Sequence, residues 1–152
     1  MKVLILNGPN LNMLGVREPT VYGSESYAAL IERIRAYAEE QGVQPRFAQS
    51  NSEGALVDAI QQAYFDGLDG IVLNPGAYTH TSIALLDALK ATGLPTVEIH
   101  ISDPDKREAF RSVSYVRASC IGTVKGLGTD GYLRALDMLI KHLKDKENGY
   151  GA

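Results

Sequence analysis

Residues 2–19 read KVLILNGPNLNMLGVREP, an apolar run followed at once by a segment rich in Asn, Gly and Pro. The run from Lys2 to Asn7 is typical of a buried strand. The segment after it continues from Asn7 to about Ser24, although about 2–6 residues usually connect a strand to a helix. Long loops at this position are more often active-site lids than connectors. This stretch therefore predicts the first strand of an α/β sheet and a functional loop after it.

Strand and helix patterns alternate through the rest of the chain. Further strands are predicted over residues 44–50, 70–74, 95–101 and within 115–124. Helices are predicted from a cap at Ser24 or Ser26 to Gly42, and over residues 53–65, 81–91, 105–110 and 128–146. The alternation predicts a flavodoxin-like α/β fold, a five-stranded parallel sheet of order 2-1-3-4-5 with helices on both faces. Residues 1–146 are expected to form a single catalytic domain, and residues 147–152 a flexible C-terminal tail.

The composition narrows the class of protein. The 152 residues, 45% hydrophobic and 22% charged, suit one globular domain, and the net charge of −3 gives no indication of nucleic-acid or membrane binding. The single Cys120 excludes an internal disulfide and a cysteine-rich metal site. No apolar run approaches the roughly 18 residues of a membrane helix, and the N-terminal run is too short for a signal peptide. We therefore expect a cytoplasmic protein.

Polar residues end the buried strands of the predicted sheet. Asn7 ends the first strand, Asn74 the third and His100 the fourth. Ligands of such folds bind outside the carboxyl ends of the strands. We therefore expect one crevice at this edge, with the long loop over it.

Two pairs of residues have a spacing suited to acid–base chemistry. Arg17 precedes Tyr22 by five residues, and a nearby cation lowers the pKa of a phenol from its ordinary value of about 10, which would make it a base. The alternative is that Tyr22 packs on the sheet and Arg17 is solvated. Glu98 and His100 share one face of a strand, so the carboxylate can orient the imidazole as a general acid. The alternative is that His100 is a structural strand residue whose hydrogen bonds are satisfied, with Glu98 at the rim.

Two segments offer sites for an anion. Residues 74–82 (NPGAYTHTS) open a helix, where free N–H groups favour anions, and Ser102 precedes a second predicted helix. Arg107 and Arg111 are expected to share a face of that second helix, which suggests a carboxylate or polyhydroxyl substrate. The alternative is a surface ion-pair cluster with the acidic residues of the same segment. No set of metal ligands is apparent.

Six motifs carry a resemblance to a known family. They are LNGPNLN (6–12) with REP (17–19) and YG (22–23), QSNSEG (49–54), NPGAYTHTS (74–82), EIHIS (98–102), REAFR (107–111), and GLG (126–128) with GYL (131–133). In this order they resemble type II 3-dehydroquinate dehydratase, a dodecameric lyase of the shikimate and quinate pathways. The resemblance runs from Val3 to about Leu143 and implies reversible trans-dehydration of 3-dehydroquinate to 3-dehydroshikimate through an enolate intermediate.

The resemblance also implies roles for five catalytic residues. Tyr22 as phenolate would remove the proton next to the substrate carbonyl, and Arg17 would keep it ionised. Asn12 would hold the enolate, through a water molecule. His100 would protonate the departing hydroxyl, and Glu98 would orient His100.

A second implied group binds substrate. Asn74 and the backbone N–H groups of Ile101 and Ser102 would bind the carboxylate and C1-hydroxyl, and His80 and Arg111 would contact the ring hydroxyls.

Two further residues belong to the assembly and the closing loop. Asp87 would enter the site of a neighbouring subunit in a dodecamer built as a tetramer of trimers, and Arg107 would join the loop network over the site. No cofactor, metal, nucleic-acid or membrane partner is implied.

Some residues depart from the family pattern. Leu86 replaces a common Arg, and Ser112-Val113 replaces a commonly basic or His-containing pair. Asp103 replaces Asn, adding a negative charge near the carboxylate site. A competing hypothesis is a flavodoxin-like binding or signalling module that performs no chemistry. A phosphorylatable receiver would need acidic strand ends, and the Asn and His residues found there argue against it.

Overall fold

The computed structural model describes residues 1–16, 20 and 24–149. Within them, the five strands are β1 (Lys2–Asn7), β2 (Gln44–Gln49), β3 (Gly70–Asn74), β4 (Thr96–His100) and β5 (Gly122–Lys125). The longer helices are α1 (Tyr27–Glu40), α2 (Glu53–Phe65), α3 (Ile83–Thr92) and α4 (Gly131–Glu147). All strand pairs are parallel and the order is β2-β1-β3-β4-β5, so the predicted flavodoxin-like sheet is confirmed.

Each face of the sheet is covered by two helices. Val3 and Ile5 of β1 point into a core formed with α1 and α4, whereas Leu4 and Leu6 point into a second core with α2 and α3. Successive strand side chains alternate between faces, so a strand buried on both faces reads as a continuous apolar run. In the described part of the chain, every helix is too short or too polar to cross a bilayer.

Serine caps fix where three helices begin, close to the strand ends. The hydroxyls of Ser26, Ser52 and Ser82 each accept a hydrogen bond from the backbone N–H three residues later, at 3.1, 3.4 and 3.0 Å. The helix predicted from residue 81 therefore begins at Ile83, and residues 76–80 form a 3-10 turn before it. Of the two caps predicted for α1, Ser26 is the one used.

Two of the predicted helices have wrong boundaries. The helix expected over residues 105–110 is two 3-10 turns, Pro104–Lys106 and Ala109–Ser112, because the backbone of Arg107 turns away from helical geometry between them (φ −105°, ψ −149°). The last strand, predicted within residues 115–124, is Gly122–Lys125, and Val116–Ser119 forms a 3-10 turn before it. The last helix starts at Gly131, after a turn over Gly128–Asp130.

Candidate active site

A cavity of about 140 Å³ opens at the carboxyl ends of β1, β3 and β4, the edge that the topology predicts. Pro9, Leu11, Leu14 and Pro104 contribute its apolar wall. Seven of the predicted site residues line it: Asn74, His80, His100, Ile101, Ser102, Arg107 and Arg111. Imidazole, guanidinium and amide groups on an apolar background suit a small anionic or polyhydroxylated ligand.

The loops after β1 and β3 interlock beneath this cavity. The N–H of Gly8 donates to the carbonyl of Asn74 at 2.7 Å, and a Cβ at Gly8 would lie 2.5 Å from the carbonyl oxygen of Pro75. Gly76, with φ of +60°, lies close to Pro9, because its Cβ would lie 3.0 Å from the Pro9 carbonyl oxygen. Only glycine fits at these contacts. The NGP and NPG motifs are therefore explained by close backbone packing that fixes the cavity floor.

A buried tyrosine holds the strand-end amides. The Tyr132 hydroxyl donates to Asn7 Oδ1 at 2.5 Å and accepts from Asn74 Nδ2 at 2.9 Å, while Asn74 Oδ1 accepts from the N–H of Gly76 at 3.1 Å. Burial raises the pKa of the Tyr132 phenol, so it stays neutral. These contacts set the orientation of the Asn74 amide and leave one of its two N–H groups for a ligand. Sequence reasoning missed Tyr132, whose contacts with these amides span 125 and 58 residues of chain.

Glu98 is completely buried and accepts hydrogen bonds from several elements. Its Oε2 accepts from His100 Nε2 at 2.6 Å and from the hydroxyls of Ser114 and Thr79 at 2.7 and 2.9 Å. Its Oε1 accepts from Arg117 Nε at 2.9 Å and from a Thr123 hydroxyl at 3.2 Å. Burial by itself would raise the pKa of Glu98, but the hydrogen bonds from His100 and Arg117 outweigh it and hold that pKa well below its usual range.

The charge of Glu98 decides the tautomer of His100. Since an ionised carboxylate only accepts hydrogen bonds, Nε2 of His100 must carry a hydrogen. Nδ1 has no hydrogen-bond partner among the described residues, and His100 lines the cavity. The pair expected from the i, i+2 spacing is therefore present, with Nδ1 as the ring nitrogen that can exchange a proton with a ligand.

His80 is held in a defined tautomer as well. Its Nδ1 lies 2.6 Å from the Val113 carbonyl, which can only accept, so Nδ1 is the protonated nitrogen and Nε2 remains for the cavity. Arg111 is held by Glu108, which accepts from its Nε at 2.5 Å. Although Arg107 and Arg111 do not share a helix, the turn around Arg107 still brings both to the cavity wall.

The structure places the other predicted residues as follows. Asn12 is exposed and its Oδ1 accepts from Gln49 at 3.4 Å, next to Leu11 but outside the cavity lining. Asp87 is exposed on α3, also outside the lining. Arg17 and Tyr22 lie outside the described residues. The chain on either side of them comes together, since a Cβ on Gly15 would lie 3.0 Å from the carbonyl oxygen of Ser24.

The Asp103 carboxylate shares Lys125 with a second carboxylate, that of Asp105. The Asp103 side chain accepts from the N–H of Asp105 at 3.0 Å and lies 3.8 Å from Lys125 Nζ. Lys125 also forms an ion pair with Asp105. Within the described ranges there is no group of three or more His, Cys, Asp or Glu side chains placed to hold a metal ion.

Comparisons with known proteins agree with this geometry. The model of the family described as "Dehydroquinase class II" matches residues 1–140. A "3-dehydroquinate dehydratase" of Carboxydothermus hydrogenoformans is 51% identical over 148 residues, covering 97% of this chain and 96% of that protein. Another, from Clostridium perfringens, is 47% identical over 146 residues, covering 96% of this chain and all of that protein.

A solved structure has the same fold. The type II dehydroquinase of Butyrivibrio crossotus superposes with a TM-score of 0.91 at 48% identity, covering 92% of this chain and 97% of that one. The family match spans nearly the whole chain and includes the strand ends, the glycine contacts and the Glu98–His100 pair described above. This chain therefore belongs to the class II dehydroquinase family.

Proposed function

We propose that this chain catalyses the reversible trans-dehydration of 3-dehydroquinate to 3-dehydroshikimate through an enolate intermediate. The observation that carries the proposal is the His100–Glu98 pair in a cavity that also presents two arginines and the Asn74 amide. Elimination of water from a β-hydroxy ketone needs an acid for the hydroxyl and a cationic or N–H-rich place for the substrate carboxylate. The relatives named 3-dehydroquinate dehydratase support the choice of substrate.

The proton next to the substrate carbonyl is removed by Tyr22 as phenolate, kept ionised by Arg17. A free phenol, with a pKa of about 10, is a poor base at neutral pH, and arginine keeps its charge at any working pH. Leu14, three residues before Arg17, lines the cavity, and Gly15 lies against Ser24, two residues after Tyr22. The described residues that flank the pair in sequence therefore lie at the cavity or next to its lining, which supports the assignment.

Water then leaves from the substrate with a proton from His100. Nδ1 of His100 gives the proton to the departing hydroxyl, and Glu98 keeps Nε2 hydrogen-bonded so that the ring cannot turn. Asn12 holds the enolate oxygen through a water molecule. Leu11 in the cavity wall is the direct neighbour of Asn12, which supports this assignment.

Substrate is held by groups around the cavity. The remaining N–H of Asn74 and the backbone N–H groups of Ile101 and Ser102 bind the carboxylate and C1-hydroxyl. His80 and Arg111 contact the ring hydroxyls, with Nε2 of His80 as acceptor for one of them. Arg107 belongs to the loop network that closes over the site.

We also propose a cytoplasmic homododecamer built as a tetramer of trimers, in which residues 1–146 of each subunit form one catalytic domain. Asp87 of each subunit enters a neighbour's site. Support comes from its exposure on α3 and from the apolar side chains of Phe110 and Val113, which are 66% and 49% exposed on either side of Arg111. Apolar surface beside a cavity is typical of an interface.

An ultraviolet assay for the conjugated enone product tests the function. Wild type should turn over 3-dehydroquinate, and Tyr22→Phe should lose at least about 10²-fold in kcat, the low end for loss of a general base. Tyr64→Phe, on the exposed end of α2, is the matched control and should keep wild-type turnover. Turnover by Tyr22→Phe within a few-fold of wild type would remove Tyr22 as the base, and absence of turnover in wild type would refute the function.

A further inference from the structure

We propose that Arg117 tunes the proton affinity of His100 by sharing the buried Glu98 carboxylate with it. This makes Arg117 a positioning residue that acts through Glu98 without touching the substrate. The inference rests on the proposed role of His100 as the acid, and it adds a residue that none of the six sequence motifs contains.

The geometry places Glu98 between two cationic groups. His100 Nε2 lies 2.6 Å from Oε2, and Arg117 Nε lies 2.9 Å from Oε1 with Nη2 3.5 Å from Oε2. The Glu98 side chain is fully buried, while that of Arg117 is 37% exposed. The two donors approach different oxygens, so both contacts exist at once. Arg117 therefore compensates the Glu98 charge even when His100 is neutral.

This compensation matters for an acid that must release its proton. A buried carboxylate whose only cationic partner were the imidazole would favour the charged pair strongly, because removing the proton would leave an unpaired buried charge. Such a histidine would hold its proton too tightly to protonate a leaving hydroxyl. With the permanently charged Arg117 on the other oxygen, His100 can lose its proton and Glu98 keeps a counter-charge.

Other charged groups near the pair do not replace Arg117. Lys125 neighbours His100 in the β4–β5 register, but it is paired with Asp105 and Asp103. Burial raises the pKa of the Cys120 thiol to about 12, so the thiol beside Glu98 is neutral. The remaining donors to Glu98 are the neutral hydroxyls of Thr79, Ser114 and Thr123. The cavity lining adds His80, Arg107 and Arg111 on the ligand side.

The test is an NMR titration of His100 in the ligand-free protein. Arg117→Gln removes the charge and keeps a donor, and should raise the midpoint of the His100 titration by about one pH unit, the low end for a nearby charge. Arg117→Lys should restore most of the wild-type midpoint. Arg117→Met is a second uncharged variant, for use if Arg117→Gln folds poorly. It keeps an apolar stem and should raise the His100 midpoint by the same amount. The control is Arg35→Gln, which breaks an exposed ion pair with Glu32 on α1 and should shift nothing.

The kinetic consequence follows the same direction. In the pH profile of kcat, the limb that reports His100 should move to higher pH together with the NMR midpoint. The plateau value of kcat should fall roughly threefold, as expected for a weaker acid with intermediate Brønsted dependence. A His100 midpoint that is unchanged or lower in both uncharged variants would overturn the inference. Because the titration needs no substrate, this outcome is distinct from a failure of the wild-type enzyme to dehydrate 3-dehydroquinate.

Discussion

Replacing Glu98 by glutamine is the sharpest perturbation of the buried network. The amide keeps the shape of the carboxylate but exchanges one acceptor oxygen for an NH₂ donor. In the wild type, Oε1 accepts from Arg117 and Thr123, and Oε2 accepts from His100 and from two further hydroxyls. An NH₂ in place of Oε1 would face Arg117, which can only donate. An NH₂ in place of Oε2 would require His100 to accept on Nε2 and both hydroxyls to turn, so either orientation of the amide disrupts the network.

The structure sets the size of the effect. Removing one partner of a buried charge pair costs about 3–5 kcal/mol. Arg117 is 37% exposed and can be rehydrated, and the hydroxyls can rotate, so the low end applies. We expect Glu98→Gln to lose about 3 kcal/mol in the free energy of unfolding at pH 7, or about 6–12 °C in Tm for a chain of this length. His100 also loses its orienting partner, so kcat should fall at least about 10²-fold.

The stability difference should depend on pH. The pKa of Glu98 lies below its ordinary value of 4.5, against the effect of burial, because of its hydrogen bonds to His100 and Arg117. A carboxyl whose pKa is lower in the folded state stabilises the fold above its unfolded pKa, and that contribution is lost as pH falls through the folded value. The difference between wild type and Glu98→Gln should therefore be full at pH 7 and shrink as pH falls below about 4.5.

The assay is guanidinium chloride unfolding followed by circular dichroism at several pH values and one fixed protein concentration, because assembly would couple to stability. Glu32→Gln, which removes an exposed i, i+3 partner of Arg35, is the control and should stay within about 0.5 kcal/mol. A loss below about 1 kcal/mol at pH 7, or a difference that is constant down to pH 3, would refute the reasoning about a buried, shared carboxylate.

Two further substitutions test the floor of the cavity. Tyr132→Phe should lower the free energy of unfolding by about 1–3 kcal/mol in calorimetry, because buried amide groups lose their partner. In steady-state kinetics it should raise KM more than it lowers kcat, since Asn74 loses its fixed orientation. Gly8→Ala should cost about 1–3 kcal/mol and most of the substrate affinity, because its Cβ would lie 2.5 Å from Pro75 carbonyl oxygen. Gly54→Ala, with no atom closer than 4.0 Å, should be neutral or stabilising in the same melts.

The sheet was predictable from sequence because its evidence is local. Buried strands such as Gly70–Asn74 are short apolar runs between turn residues, and helices such as Glu53–Phe65 show a cap and a regular apolar face. The order of strands then follows from the preference for right-handed crossovers and known doubly wound folds. The strand-end rule correctly placed Asn74 and His100 at one cavity.

The residues that hold the site residues in position were not predictable, because their contacts join parts of the chain that are distant in sequence. Arg117 reaches Glu98 from a 3-10 turn that precedes the last strand and that the sequence did not indicate. Tyr132 reads as one more apolar residue at the start of an amphipathic helix, although its hydroxyl bridges Asn7 and Asn74. A buried tyrosine needs a partner for its hydroxyl, and this requirement was the signal available. The segment after Ser102 was wrongly predicted as one helix, because no residue pattern indicates the extended backbone at Arg107.

In the proposed reaction, the Glu98–His100 pair supplies the acid for the dehydration. The decisive measurement compares wild type with His100→Ala. Turnover of 3-dehydroquinate is followed in one ultraviolet assay, and ligand affinity is measured by calorimetry. We expect wild type to form product. His100→Ala should bind substrate within a few-fold of wild type, but its turnover should be reduced at least about 10²-fold. Equal turnover by the two proteins would contradict the assignment of the acid, and binding without any product from wild type would contradict the proposed reaction.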